Sequence, residues 1–380
     1  MRFVLSTIGT SSLTNQICND DPSEWRWMLR NSANRKTDDL DSETAAVIDA
    51  LANRAFEQLL EDDVQINRRI SAELNGIYGI YNGRLPQNSP DQHYLICTDT
   101  AQGQKTGELI KDFLVDQGLN AYIVTPEGLS TKDTAAFTTG IKELIRWLEE
   151  NVPWRREGGY RVIFNLVGGF KSLQGYMNTF GAFYADEVIY IFEAETADLI
   201  TIPRLPIQID TTLIQKYRTE FALMAAGKLY PRRVLRDIPE TLLEFLEEED
   251  DETDTGLSAW GTLIWNRTKA DVLAAELLPF PRLEYTGTFQ RDFNDEHDPK
   301  ARLKLQETLA TVAYTLEKEG GHTSGLTGGS LNYEKLRGEE GKAGIHTFRV
   351  TQAIRVSCTV AEGGLTLRHY GGHDYVYKNP

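Results

Sequence analysis

The residues best suited to chemistry lie near the C-terminal end of the chain. Arg349 and Arg355 have five residues between them, and the chain closes on Gly371-Gly372-His373-Asp374-Tyr375-Val376-Tyr377. Cutting RNA through its own 2′-hydroxyl needs a base for that proton, cations for the phosphorane charge, and an acid for the departing 5′-oxygen. Arg349 and Arg355 are the cations, set on adjacent strands that can turn both toward one groove. His373 is the best acid or base, because an imidazole titrates near neutrality. Tyr377 can orient a base or stack on it. Lys335, Arg337 and His346 are secondary candidates. This chemistry needs no metal, and no metal site is expected.

A second set lies toward the N-terminus, in three polar segments that each follow an apolar run. They are Ser6-Thr7-Ile8-Gly9-Thr10-Ser11-Ser12, Thr98-Asp99-Thr100 and Asn165-Leu166-Val167-Gly168-Gly169-Phe170-Lys171-Ser172. Open α/β sheets bind ligands at such strand ends, where backbone N–H groups and helix N-termini point outward. Glycines allow close approach of a phosphate, and Thr10, Ser11 and Lys171 add hydroxyls and a positive charge. The loops do not spell a Walker A motif.

The elements that carry these loops follow a regular rhythm. Short apolar runs at 3–5, 93–97, 120–124, 161–166 and 188–192 read as strands. Helical stretches separate them, at 42–75, 103–114, 131–150 and onward to Tyr184. Strands this apolar need cover on both faces, which predicts a mostly parallel sheet between helices. Residues 210–279 are helical and acidic, and the run Glu247-Glu248-Glu249-Asp250-Asp251-Glu252 with Asp254 predicts an exposed loop or linker. The last hundred residues change character. A strand at 282–285 and the segment Phe289–Phe293 precede a helix over 299–320, and three strand-like runs follow at 346–350, 353–360 and 364–370. Helix followed by antiparallel sheet is an α+β module. The expected division is 1–209, a linker region 210–279, and 280–380.

Charge is distributed unevenly. The net charge is −16, yet residues 300–380 hold 11 Lys/Arg against 8 Asp/Glu, with four of the six histidines. An excess of positive charge at one end points to an anionic partner there. Cys18, Cys97 and Cys358 are isolated, which argues against a disulfide framework and a zinc knuckle. No apolar run is long enough to cross a bilayer, and the opening Met1–Leu5 lacks the features of a signal peptide. A cytoplasmic protein without a membrane partner is expected.

On Asn165, Gly168, Gly169, Phe170 and Lys171, with the Gly9-Thr10-Ser11 loop and the run Val188–Glu193, the first 200 residues resemble a CRISPR-associated Rossmann-fold (CARF) domain. The resemblance implies a homodimer that binds a cyclic oligoadenylate, here cyclic tetra-adenylate, across its two-fold axis. The ligand residues it implies are Gly9, Thr10, Ser11, Ser12, Thr98, Asp99, Asn165, Gly168, Gly169, Phe170 and Lys171. Some domains of this kind also cleave the ligand, and Ser11 and Lys171 are the matching ring-nuclease candidates. Lys171 would stabilise the pentacovalent phosphate and Ser11 position the attacking 2′-hydroxyl, the alternative being that both only hold phosphates.

The final hundred residues resemble a RelE/ParE-superfamily toxin. The resemblance rests on Phe289–Phe293, Leu331–Gly338, Phe348-Arg349-Val350, Ile354-Arg355-Val356 and the Gly371–Tyr377 ending. It implies that Arg355 stabilises the phosphate and that messenger RNA is cut on the ribosome. The expectation is a CRISPR effector: a ribosome-dependent ribonuclease, with no cofactor, switched on by a cyclic oligoadenylate. Its alternatives are a ligand-regulated module that binds nucleic acid without cutting it, and a ParE-like inhibitor of gyrase.

Overall fold

Five strands whose residues are apolar on both sides can be stable only between two layers of helix. The computed structural model has that arrangement in its first half. It describes residues 1–61, 63–130, 132–191, 198–235, 237–248, 254–336 and 344–379, in two compact units, Met1–Gln208 and Ile209–Pro380.

The strands of the first unit are β1 (Arg2–Thr7), β2 (Gln92–Ile96), β3 (Asn120–Val124), β4 (Arg161–Asn165), β5 (Glu187–Ile191) and β6 (Leu199–Pro203), in the order β3-β2-β1-β4-β5-β6. The first five are parallel, and β6 runs antiparallel to β5. The chain steps outward from β1 to β3, then returns to the other side of β1 for β4. The order therefore reverses between β1 and β4, the point where open α/β sheets hold ligands.

The helices are α1 (Ser11–Thr14), α2 (Glu24–Ser32), α3 (Ser42–Leu59), α4 (Val64–Ile70), α5 (Ala72–Ile80), α6 (Ala101–Asp116), α7 (Thr134–Glu157) and α8 (Lys171–Tyr184). Ala55, Leu74, Ile77, Ile110 and Phe113 of α3, α5 and α6 pack with Leu95 and Ala121 on one face of the sheet. On the other, Trp147 of α7 lies against Phe3 and Tyr94. The single helix expected over 42–75 is three. Asp63 caps α4 by accepting from Gln65 and Ile66, and Ser71 caps α5 by accepting from Leu74. Each cap offers the chain a fresh helix start that apolar spacing alone does not reveal. The periodicity also gives no sign of β6, an edge strand whose side chains are mostly exposed.

The second unit begins with α9 (Thr212–Lys216), α10 (Arg218–Ala225), β7 (Tyr230–Pro231), α11 (Glu240–Leu243), β8 (Leu246–Glu248), β9 (Asp254–Leu257) and α12 (Ala259–Leu273). Then come β10 (Leu283–Tyr285), α13 (Gly287–Asp295), α14 (Pro299–Lys318), β11 (Glu334–Lys335), β12 (Ile345–Arg349), β13 (Ile354–Ala361), β14 (Gly364–Gly372) and α15 (His373–Lys378). The larger sheet has the order β10-β14-β13-β12-β11, antiparallel except for β10 beside β14.

Residues 210–279 are not a linker. Phe221, Trp265 and Leu273 share one buried core with Phe289, Phe293, Leu305, Leu309, Phe348, Val356 and Leu365. Acidic composition misled here because it describes the outward side chains, while the inward ones are large and apolar. The ends of the acidic run form strands β8 and β9, and 249–253 lie outside the described residues. Phe289 and Phe293, four residues apart, lie on a helix and bury on one face of it. Among the described residues no helix is long and apolar enough to cross a membrane.

Candidate functional site

In the first unit the loops after β1 and β4 meet. Ser6 and Asn165 are register partners at the ends of the two strands. The Thr7 hydroxyl donates to the Gly168 carbonyl at 2.5 Å. Asn165 Nδ2 donates to Ser6 Oγ and to the Glu73 carbonyl, both at 3.0 Å. Beneath the loops lies Glu73 of α5, fully buried. Its Oε1 accepts the Gly9 N–H at 2.7 Å, and its Oε2 accepts the Ser71 hydroxyl at 2.7 Å. A Cβ on Gly168 would stand 1.9 Å from Glu73 Oε1, so any larger residue there must displace the buried Glu73 side chain.

The expected ligand residues therefore separate into two groups. Ser12, Asp99, Asn165 and Gly168 are buried, while Gly9, Thr10, Ser11, Thr98, Gly169, Phe170 and Lys171 reach the surface. Asn165 ties the end of β4 to α5. The Gly9 N–H already has a partner in Glu73. Thr100 caps α6, and Asp99 pairs with Lys36 at 3.0 Å. That contact raises the Lys36 ammonium above its ordinary range, first through the hydrogen bond to Asp99. Lys171 is the first residue of α8 and exposed. Phe170 sets its ring edge-on to Phe137 of α7, centroids 5.8 Å apart. Ser11 Oγ lies 3.5 Å from the Ala72 N–H.

In the second unit, Arg349 and Arg355 are register partners on β12 and β13, and Gly371 of β14 is opposite Arg355 on the other side. Strand alternation puts Thr347, Ser357 and His369 on the same face, in the neighbouring row. The opposite face carries Phe348, Val356 and Leu367 into the core. Arg355 is 7% exposed, and its Nε and one Nη are buried without a hydrogen-bond partner, as is Nε of Arg349. Among the described residues neither guanidinium is ion-paired. Like charges opposed in register repel, and a phosphate between them would remove that cost.

Helix α15 lies over this face. A Cβ on Gly371 would stand 2.8 Å from the Tyr375 ring, so the bare backbone at Gly371 makes room for it. Tyr377 donates to Glu334 Oε1 at 2.7 Å. Burial first, then Glu334, raises its phenol above the usual range, while Arg355 opposes them. His373 is exposed, with Nδ1 3.1 Å from Asp374 Oδ1 and its ring stacked on Tyr377 at 4.2 Å.

Not every expected residue joins this group. His346 and Lys335 are register partners on the sheet's other face, where His346 stacks on Tyr333 at 5.1 Å. Burial holds the His346 imidazole below its ordinary range. The period of two along β12 separates His346 from Arg349. Arg337 lies outside the described residues. Glu73, Asp292, His369 and Tyr375 were not anticipated. Glu73 meets a loop 64 positions away, and Asp292 meets His369 across 77, separations that no local spacing encodes.

The first unit is thus a doubly wound α/β domain with polar loops at its strand ends. The second is an α+β domain whose antiparallel sheet carries two arginines that have no ion-pair partner among the described residues. Residues 68–205 match the family model described as CRISPR-associated protein (Cas_APE2256). The match runs from the end of α4 to just past β6. It includes Glu73 and the Asn165–Lys171 loop, and stops short of the β1 loop and the second unit. It supports a CRISPR-associated protein with a role in CRISPR defence.

Proposed function

We propose that the chain is a CRISPR effector ribonuclease, with a CARF sensor of Rossmann type as its first unit and a RelE-like nuclease as its second. The observation that supports the nuclease is the Arg349–Arg355 pair: two guanidinium groups in register, with buried N–H donors and no ion-pair partner among the described residues. Buried charges are ordinarily paired, and a scissile phosphate supplies the missing anion. The 2′-oxygen attacks phosphorus as its proton passes to a base. The arginines hold the phosphorane charge, and the bond to the 5′-oxygen breaks as that oxygen takes a proton. The products are a 2′,3′-cyclic phosphate and a 5′-hydroxyl. His373 and Tyr377 flank the pair, and the ribosome supplies the messenger RNA in position.

In the sensor, a cyclic oligoadenylate, cyclic tetra-adenylate in this reading, sits across a homodimer on the surface-reaching part of the β1 and β4 loops. Lys171 meets a phosphate, and Ser11 and Lys171 carry any cleavage of the activator. The activator raises nuclease activity by binding the active state more tightly than the resting one. The test is translation of a reporter messenger RNA on reconstituted ribosomes, with and without cyclic tetra-adenylate, with the cuts mapped. Activator-dependent cuts within translated codons that vanish in Arg355→Ala support the reading. An RNA that stays intact under every cyclic oligoadenylate contradicts it, and a supercoiling assay then checks for action on gyrase.

A further inference from the structure

A carboxylate, an imidazole and a phenol converge at β14, the strand that pairs with the one carrying Arg355. Asp292 of α13 accepts from three donors. Oδ2 lies 3.1 Å from His369 Nδ1 and takes the Tyr370 N–H at 3.0 Å, while Oδ1 takes the Tyr375 hydroxyl at 2.9 Å. The Tyr375 hydroxyl is also 3.3 Å from His369 Nδ1. The side chains of His369 and Asp292 are 17% and 15% exposed. An ionised carboxylate only accepts, so Nδ1 of a neutral His369 carries the proton. The lone pair is then on Nε2, which has no hydrogen-bond partner among the described residues.

His369 shares a sheet face with the arginines. It is the register partner of Ser357, one row from Arg355 and Gly371. Diagonal neighbours of this kind have Cα atoms roughly 7–8 Å apart, within reach of a phosphate held by Arg355. His373, by contrast, is on the exposed end of α15, and its carboxylate neighbour Asp374 is itself exposed.

We propose that His369 is a catalytic residue of the ribonuclease, the base that takes the 2′-hydroxyl proton at Nε2, with Asp292 and Tyr375 as its positioning residues. This rests on the ribonuclease reading above. As His369 Nε2 gains the proton, the 2′-oxygen forms its bond to phosphorus and the phosphorus–5′-oxygen bond breaks. The 5′-oxygen takes its proton from a separate acid, the role this proposal leaves to His373. Asp292 holds the ring in the tautomer that leaves Nε2 free and stabilises the imidazolium that forms. Charged and titratable groups facing the cluster are Asp292, Arg291 and Asp295 of α13, Tyr375 of α15 and Arg355 of β13.

The test uses the full chain on ribosomes with cyclic tetra-adenylate, in single-turnover cleavage of a reporter messenger RNA. His369→Ala should cut about 10²–10⁴-fold more slowly than the parent, the span of general-base contributions. Added imidazole should restore part of the rate, in proportion to the neutral form and more with more basic imidazoles. A merely structural loss would not respond. Asp292→Asn should lower the single-turnover rate with little change in messenger RNA affinity, and Tyr375→Phe should do so more mildly. Full activity in His369→Ala overturns the proposal, as does a loss that imidazole leaves untouched. Both results leave the ribonuclease reading standing as long as Arg355→Ala is inactive. A parent chain that cuts nothing overturns the reading itself.

Discussion

Arg349 and Arg355 stand directly opposite one another on β12 and β13, with buried guanidinium nitrogens that meet no hydrogen-bond acceptor among the described residues. A protein that only needed to fold would replace at least one of them. Arg355→Met keeps a long side chain at the position and removes one of two repelling charges. It should stabilise the second unit by about 1–3 kcal/mol, the scale of a buried polar group without a partner, while RNA cleavage is lost. Urea unfolding of parent and variant checks the first half. A variant less stable than its parent would mean that Arg355 is paired in solution.

Glu73 and Gly168 offer a sharper test of packing. Gly168→Ala brings a methyl group to 1.9 Å from Glu73 Oε1. It should cost on the order of 1–3 kcal/mol, as overpacking does. Glu73→Ser shortens the side chain and should remove most of that penalty in the double variant, despite its own cost from the freed Gly9 N–H. The measurement is a double-mutant cycle by chemical denaturation. Additive effects would contradict the contact.

Acid should weaken the first unit through a buried histidine. His93 of β2 is fully buried, with Nε2 3.0 Å from the Tyr81 hydroxyl, which also bonds Asp91. Burial, with a smaller push from Arg2 against the pull of Asp91, lowers its pKa to about 4. An unfolded histidine titrates near pH 6.5. Between those values the unfolded chain binds the extra proton, so stability rises with pH from about 4 to about 6.5 and then levels off. The difference is about 3 kcal/mol at most. Denaturation midpoints across that range check the slope, and His93→Gln should flatten it.

Much of this architecture is legible in the sequence because apolar periodicity reports burial directly. β1 to β5 and the three long C-terminal strands stand close to where their apolar runs are. Local spacing fails where a polar side chain does the work. Asp63 and Ser71 break one helical stretch into three, and the core of 210–279 is hidden under acidic outward faces. The adjacency of Arg349 and Arg355 follows from two strands and a tight turn. The Asp292–His369 contact depends on how α13 packs at the edge of β14, which only the tertiary fold determines.

The most direct test of the account is the cleavage rate of a translated messenger RNA as cyclic tetra-adenylate is titrated, for the parent chain, Lys171→Ala and Arg355→Ala. The parent should show a saturable rise. In Lys171→Ala the same maximum should need roughly tenfold or more activator, the loss of one charge-assisted phosphate contact, and Arg355→Ala should show no cleavage at any concentration. Cleavage that ignores the activator, or a Lys171→Ala curve that overlays the parent, would contradict it.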